Sequence, residues 1–175
     1  MPEGCNYLCL LLEQCEDTAV ALIIRPALAS DAQSIGNLAR QFASYLSELG
    51  DLTDFKLTAH AYLRDGFGTK PAFAGLVAED QGKVIGYLLY HFGYDSDRAA
   101  CNMHVVDLYV DRPARNQGVG RALMARAANI ARETSAEEMI WSVYQSNTIA
   151  ATFYEKLGAQ RINDVFFMKL SADKI

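Results

Sequence analysis

The sequence has no apolar run near the roughly 20 residues that a bilayer-spanning helix needs, no internal repeat and no low-complexity segment. Cysteine and histidine are both scarce. The four cysteines (Cys5, Cys9, Cys15 and Cys101) show no CxxC spacing, and the three histidines, His60, His91 and His104, are scattered, so no metal site is expected. Thiols without a disulfide framework point to a reducing, cytoplasmic setting. Basic charge is also short: 16 Lys+Arg stand against 21 Asp+Glu, a formal charge of -5. That balance argues against a nucleic-acid partner and against an anionic membrane surface. The stretch "NYLCLLLEQCEDTAVALII" lacks the basic start of an export signal and is broken by Glu13, Glu16 and Asp17. Residues 1–18 are therefore read as an N-terminal extension ahead of one domain over 19–175, a length that suits a single core.

Apolar periodicity is plentiful and gives an order of elements. "AVALIIRP" (19–26) reads as a strand, and the segment after it as a helix over about 30–49 with Ser30 or Asp31 at its N-cap, Gly50 as its stop, and Ile35, Leu38, Ala39, Phe42 and Leu46 on one stripe. A short helix follows at 55–64. "AFAGLVAE", "KVIGYLLYHF" and "CNMHVVDLYV" are apolar, aromatic runs forming an antiparallel meander, the first pair joined by a "DQG" turn. From Gly118 the period becomes helical through about Glu133, then come a strand at "EEMIWSV", a helix at "NTIAATFYEKLG" and a last strand at "VFFMKL". The order β, α, α, β, β, β, α, β, α, β specifies an α+β domain.

The segment "RNQGVGRALM" (115–124) carries the chemistry. A strand that turns through Gly118 and Gly120 into a helix leaves backbone N–H groups pointing out of the helix start, a natural anion site that Arg115 and Arg121 flank with charge. It matches neither the G-x-G-x-x-G dinucleotide fingerprint nor the GxxxxGK[ST] phosphate loop.

"R-N-Q-G-V-G" at 115–120 does match the Arg/Gln-x-x-Gly-x-Gly/Ala signature of the GNAT N-acetyltransferase superfamily, and "NTIAATFYEKLGA" resembles that superfamily's later cofactor segment. "LRDGFGTKPAF", "YHFGYD" and "FYEKLGA" are most similar to the diamine (spermidine/spermine) acetyltransferases. The resemblance implies the GNAT acyl-CoA fold: a central mixed, mostly antiparallel sheet flanked by helices and splayed between strands 4 and 5. It also implies acetyl-CoA as co-substrate, no metal, and a homodimer built through C-terminal strands and helices.

Residue roles follow from the same resemblance. Backbone groups of Leu108, Tyr109 and Val110 would pair with the pantetheine arm, and the amides of Gln117, Gly118, Val119, Gly120 and Arg121 would hold the pyrophosphate. Asn147 and Tyr154 match the cofactor Asn and the acid; a phenol of ordinary pKa about 10 is protonated at neutral pH and can donate to a departing thiolate. Related diamine enzymes carry a Glu before the Asp of the fourth strand, where this chain has Val106. Strict alternation would place Asp107 on the face opposite Val106, and His104 on Val106's face as the candidate base. Asp107 is then a carboxylate for the substrate ammonium. Amine selection is expected from Tyr45, Glu48, Asp51, Asp54, Tyr94, Asp95 and Asp97, although Leu46 stands where the family has a Glu. The expected activity is direct acetyl transfer to the primary amine of a small molecule: a diamine, a polyamine or a lysine-like amino acid. A protein or peptide N-acetyltransferase and a CoA-binding regulatory module without catalysis remain the alternatives.

Overall fold

The computed structural model describes residues 22–171 and 174. The extension at 1–18, with Cys5, Cys9 and Cys15, lies outside the described residues. Five strands form one sheet in chain order: β1 (Ile23–Pro26), β2 (Ala74–Asp80), β3 (Lys83–Asp95), β4 (Ala100–Val110) and β5 (Ala136–Ile140). The first four pair antiparallel and β5 joins β4 in parallel. Pro26 is tolerated because β1 is an edge strand, where a missing N–H costs no central ladder bond. Among the described residues no helix is long and apolar enough to cross a membrane.

Both faces of the sheet are covered, which explains why "VIGYLLY" is a continuous apolar run rather than an alternating one. Leu88, Tyr90, Met103 and Val105 face α3 (Val119–Glu133), whose Leu123 and Ala127 are fully buried. On the opposite face Val77, Tyr87, Leu89 and Tyr109 meet α1 (Ala32–Glu48) and α2 (Ala59–Gly66). Of the expected α1 stripe, Ile35, Leu38, Ala39 and Leu46 are buried, while Phe42 is only partly covered. Helix α2 starts later than expected because Thr58 caps it, its hydroxyl accepting from Ala61 N–H at 3.1 Å. Asp31 precedes α1 but makes no side-chain cap bond; its carboxylate binds Arg25 at 2.7 Å, and Arg25 also reaches Glu79, pinning β1 to the sheet.

Two departures from the sequence reading matter. The strand expected at "VFFMKL" does not form: Val165, Phe166, Phe167, Met168 and Leu170 are unpaired and between 65% and 87% exposed. Its β propensity is real, but a strand needs a partner ladder, and this segment finds none within the described chain. The second departure is a bulge in β4. Leu89 pairs with Asp107 and Tyr90 with Val105, so Val106 is an extra residue opposite none. Strict alternation therefore fails, and Asp107 lies on the same face as His104, since their partners Leu89 and His91 are two residues apart on β3.

Candidate active site

Strands β4 and β5 share only a short ladder, Cys101 to His104 against Ala136 to Ile140. Beyond it β4 runs on to Val110 while β5 stops at Ile140, leaving a wedge between them. The wedge is the floor of a cleft of about 1000 Å³. Val105 to Val110 line it on one side and Trp141 to Tyr144 on the other. Helix α4 (Thr148–Glu155) and the end of α1 complete the walls.

At one end the chain turns from β4 into α3. Asn116 (φ 63°) and Gly118 (φ 84°) are both in left-handed backbone, a conformation glycine adopts without penalty. The first helical bond runs from Ala122 N–H to Gly118 C=O, so the amides of Val119, Gly120 and Arg121 precede the helical ladder and remain free. Gly120 is closely packed: a Cβ there would come 3.3 Å from Phe153 Cζ. Free amides, the positive end of the α3 dipole and the Arg121 side chain make an anion cradle. The Arg115 guanidinium turns inward instead, its Nε donating to Val110 C=O at 3.0 Å while the group lies over the rings of Tyr45 and Tyr109. The Gln117 side chain donates to Pro113 C=O, and the residue is not part of the cleft lining.

Three groups converge near the middle. Asn147 caps α4, and its Oδ1 accepts both Ala150 N–H and the Tyr45 hydroxyl, the latter at 2.8 Å. Tyr154 packs against Trp141, with ring centroids 4.9 Å apart, and its pKa is pushed up to about 12 by burial and then by the charge of Asp107. Burial raises the Asp107 carboxyl to about 6, and no hydrogen bond offsets that cost. A carboxylate in a cleft with its lone pairs uncommitted is ready to take a proton.

The remaining expected residues separate. Tyr45 lines the cleft, but Glu48 is held outside by Arg112 at 2.9 Å. Tyr94 is 67% exposed on the distal end of β3, and Asp95 accepts from the amides of Asp97 and Arg98 in the adjoining turn. His104 is not brought to the cleft either. Its ring stacks on His91, with centroids 5.0 Å apart, its Nδ1 is buried without a partner, and burial followed by His91 lowers its pKa. Sequence reasoning missed Trp141 and Tyr144, because "EEMIWSV" read as strand throughout whereas the strand ends at Ile140 and the next residues turn into the cleft. The abrupt change from an apolar run to "SVYQSN" was the only signal.

A profile of the acetyltransferase (GNAT) family matches residues 38–159, from α1 through α4. The chain belongs to the GNAT acetyltransferase family. It is an acetyl-CoA-dependent N-acetyltransferase. Among relatives, a thialysine N-epsilon-acetyltransferase of Bos taurus is 32% identical over 151 residues, covering 82% of this chain and 86% of that one. A human spermidine/spermine N(1)-acetyltransferase-like protein 1 is 33% identical over 143 residues, covering 78% of this chain and 20% of that longer protein. The crystal structure of a ribosomal-protein-alanine N-acetyltransferase from Brucella melitensis biovar Abortus superposes with a TM-score of 0.67 at 22% identity, covering 86% and 99% of the two chains. That last likeness is one of GNAT fold. Among the described residues no group of three or more His, Cys, Asp or Glu could hold a metal ion.

Proposed function

We propose that the protein acetylates a primary amine of a small molecule, a diamine, polyamine or lysine-like amino acid, with Asp107 as proton acceptor and Tyr154 as proton donor. The observation that carries this reading is the uncompensated carboxyl of Asp107, raised to about 6, close enough to Tyr154 for its charge to raise that phenol. The cradle residues Gly118, Val119, Gly120 and Arg121 fit a pyrophosphate, and the edge of β4 from Leu108 to Val110, which β5 leaves unpaired, offers peptide groups to a pantetheine amide. Acetyl-CoA supplies the thioester whose carbonyl carbon the amine attacks.

The protein's share is positioning and proton movement. Asp107, ionised at neutral pH, attracts the protonated amine. It takes one proton from that ammonium, directly or through one water, and passes it to solvent, freeing the lone pair that forms the C–N bond, and then takes the surplus proton that the new bond makes acidic. Tyr154, kept protonated by burial, donates to sulfur as the C–S bond breaks. Asn147 and Tyr45 hold the start of α4 and so fix where Tyr154 stands. A small acceptor is favoured over a peptide because the acceptor end is strapped: Tyr144 binds Asp51 at 2.6 Å, and Ser146 binds Leu49 C=O at 3.2 Å. These contacts join the α1–α2 loop to the β5–α4 loop across the place an open peptide groove would need.

The test is thiol release from acetyl-CoA against putrescine, spermidine, spermine, lysine, thialysine and short peptides with free amino termini. Efficient turnover of a free amine supports the reading. Turnover of peptides alone would move it to protein acetylation, and calorimetric binding of acetyl-CoA without any acetylated product would leave a regulatory module.

A homodimer and a cytoplasmic location belong to the same reading. The bare apolar run at Val165 to Leu170 is more surface than a monomer usually leaves open, and the exposed thiol of Cys101 suits a reducing compartment. A monomer mass by light scattering at micromolar concentration would defeat the dimer.

A further inference from the structure

Tyr87, in the middle of β3, is fully buried, and its hydroxyl makes no hydrogen bond to any of the described residues. Its ring packs in the cluster of Ile35, Leu38, Tyr62 and Leu89, a place that a phenylalanine would fill as well. A hydroxyl in such a core is a net cost unless a polar group answers it.

The sheet register shows which group can. Tyr87 pairs with Tyr109 and Leu89 with Asp107, so these four side chains stand on one face and Tyr87 is the diagonal neighbour of Asp107. A diagonal separation of about 7–8 Å is within reach of a tyrosine. Because β4 lies between β3 and β5, Asp107 has the wedge of the cleft on one flank and the strand of Tyr87 on the other. Tyr87 itself is not part of the cleft lining. Burial pushes its phenol well above the usual pKa, and the charge of Asp107 is the next cause, ahead of Tyr109.

The other polar groups around the pair are engaged. The Tyr109 hydroxyl donates to Gln41 of α1 at 3.3 Å, and the Tyr62 hydroxyl of α2 to Leu28 C=O at 3.5 Å. Tyr45 donates to Asn147, and Tyr144 to Asp51. The Arg115 guanidinium, over the Tyr109 ring, donates to Val110 C=O. On the same face further along β4, His104 stacks on His91. A hydroxyl and a carboxyl that lack protein partners, on one face and beyond direct bonding range, are the polar partners that a bridging water needs.

We propose that Tyr87 is a positioning residue for the base: from the flank away from the cleft its hydroxyl donates, through one buried water, to the Asp107 carboxylate, fixing its direction and favouring its ionised form. This rests on the reading of Asp107 as proton acceptor. Tyr87 touches neither the amine nor the thioester and acts only through that carboxylate.

Tyr87→Phe removes the oxygen and keeps the ring. The test is the pH dependence of kcat and of the amine KM at saturating acetyl-CoA, in the parent, Tyr87→Phe, Asp107→Asn and the double variant, with folding checked by circular dichroism. Loss of a donor to the charged form should move the acid limb of Tyr87→Phe to higher pH by about half a unit to one unit. At pH 7 kcat should fall about three- to tenfold with the amine KM within about twofold of the parent, and Tyr87→Phe should have no further effect once Asp107 is Asn. An acid limb unmoved in Tyr87→Phe, or a loss of kcat equally large in the Asp107→Asn background, would overturn the role of Tyr87 and leave Asp107 as base. A limb that survives in Asp107→Asn would sink the base reading itself, and the role of Tyr87 with it.

Discussion

The two halves of the cleft are built differently. The half proposed to hold the acetyl donor is made by backbone: left-handed residues at 116 and 118, a side-chain-free position at 120, free amides at the start of α3 and the unpaired edge of β4. The acceptor half is made by side chains drawn from far apart, with Tyr45 and Asp51 near one end of the chain and Trp141, Tyr144 and Tyr154 near the other. A backbone site imposes glycine at fixed spacing and so writes a contiguous motif. A side-chain site needs only that certain groups meet after folding, and its residues can come from any segment that reaches.

The largest expected effect falls in the acceptor half. Asp107→Asn should lower kcat by about 100-fold or more, as loss of a general base does, with the affinity for acetyl-CoA close to that of the parent by calorimetry. The same change should stabilise the fold at pH 7. Asp107 has a higher pKa in the folded chain than unfolded, so its contribution to stability is fully present below pH 3.8 and is lost as pH rises through about 6. Removing the charge should return about 1–2 kcal/mol, visible as a higher Tm at pH 7 than in the parent and little difference at pH 4. Tyr154→Phe comes next, with kcat down about 10- to 100-fold and the KM values for both substrates nearly constant.

The donor half should respond in the opposite pattern. Gly118→Ala places a methyl in open space but forces an L-residue to φ 84°. Its cost is backbone strain of about 1 kcal/mol, read as a lower Tm. Crowding at the cradle should weaken acetyl-CoA about tenfold by calorimetry and change the selectivity among amines little. Smallest is Tyr45→Phe, which deletes the bond to Asn147 and should cost about 1 kcal/mol of stability. Because that bond fixes the start of α4, which carries Tyr154, its loss should shift kcat and KM together by a few-fold.

The same contrast governs what the sequence revealed. Helices α1 and α3, the meander of β2 to β4 and the glycine turn that opens α3 were all legible, because each depends on local periodicity or on glycine placement. Three features were not legible, each for a separate reason. The bulge at Val106 comes from the register of two strands, so counting along β4 alone put Asp107 on the wrong face relative to His104. The end of β5 at Ile140 is set by where its pairing to β4 stops, although "WSV" has strand propensity. The run "VFFMKL" has the composition of a strand and has no pairing partner among the described residues, since propensity cannot supply a neighbour. Glu48 and Asp95 were plausible amine ligands by residue type, and their own neighbours, Arg112 and the amides of the turn at Asp97 and Arg98, engage them elsewhere.

The account stands most directly on Asp107 as the proton acceptor, and the measurement that tests it is the pH dependence of kcat at saturating acetyl-CoA and amine, in the parent, Asp107→Asn and His104→Asn. The parent should show an acid limb with an apparent pKa near 6, retained in His104→Asn and absent from the residual activity of Asp107→Asn. A limb that survives in Asp107→Asn and disappears in His104→Asn would contradict the account and return the base to the histidine that the structure places outside the cleft.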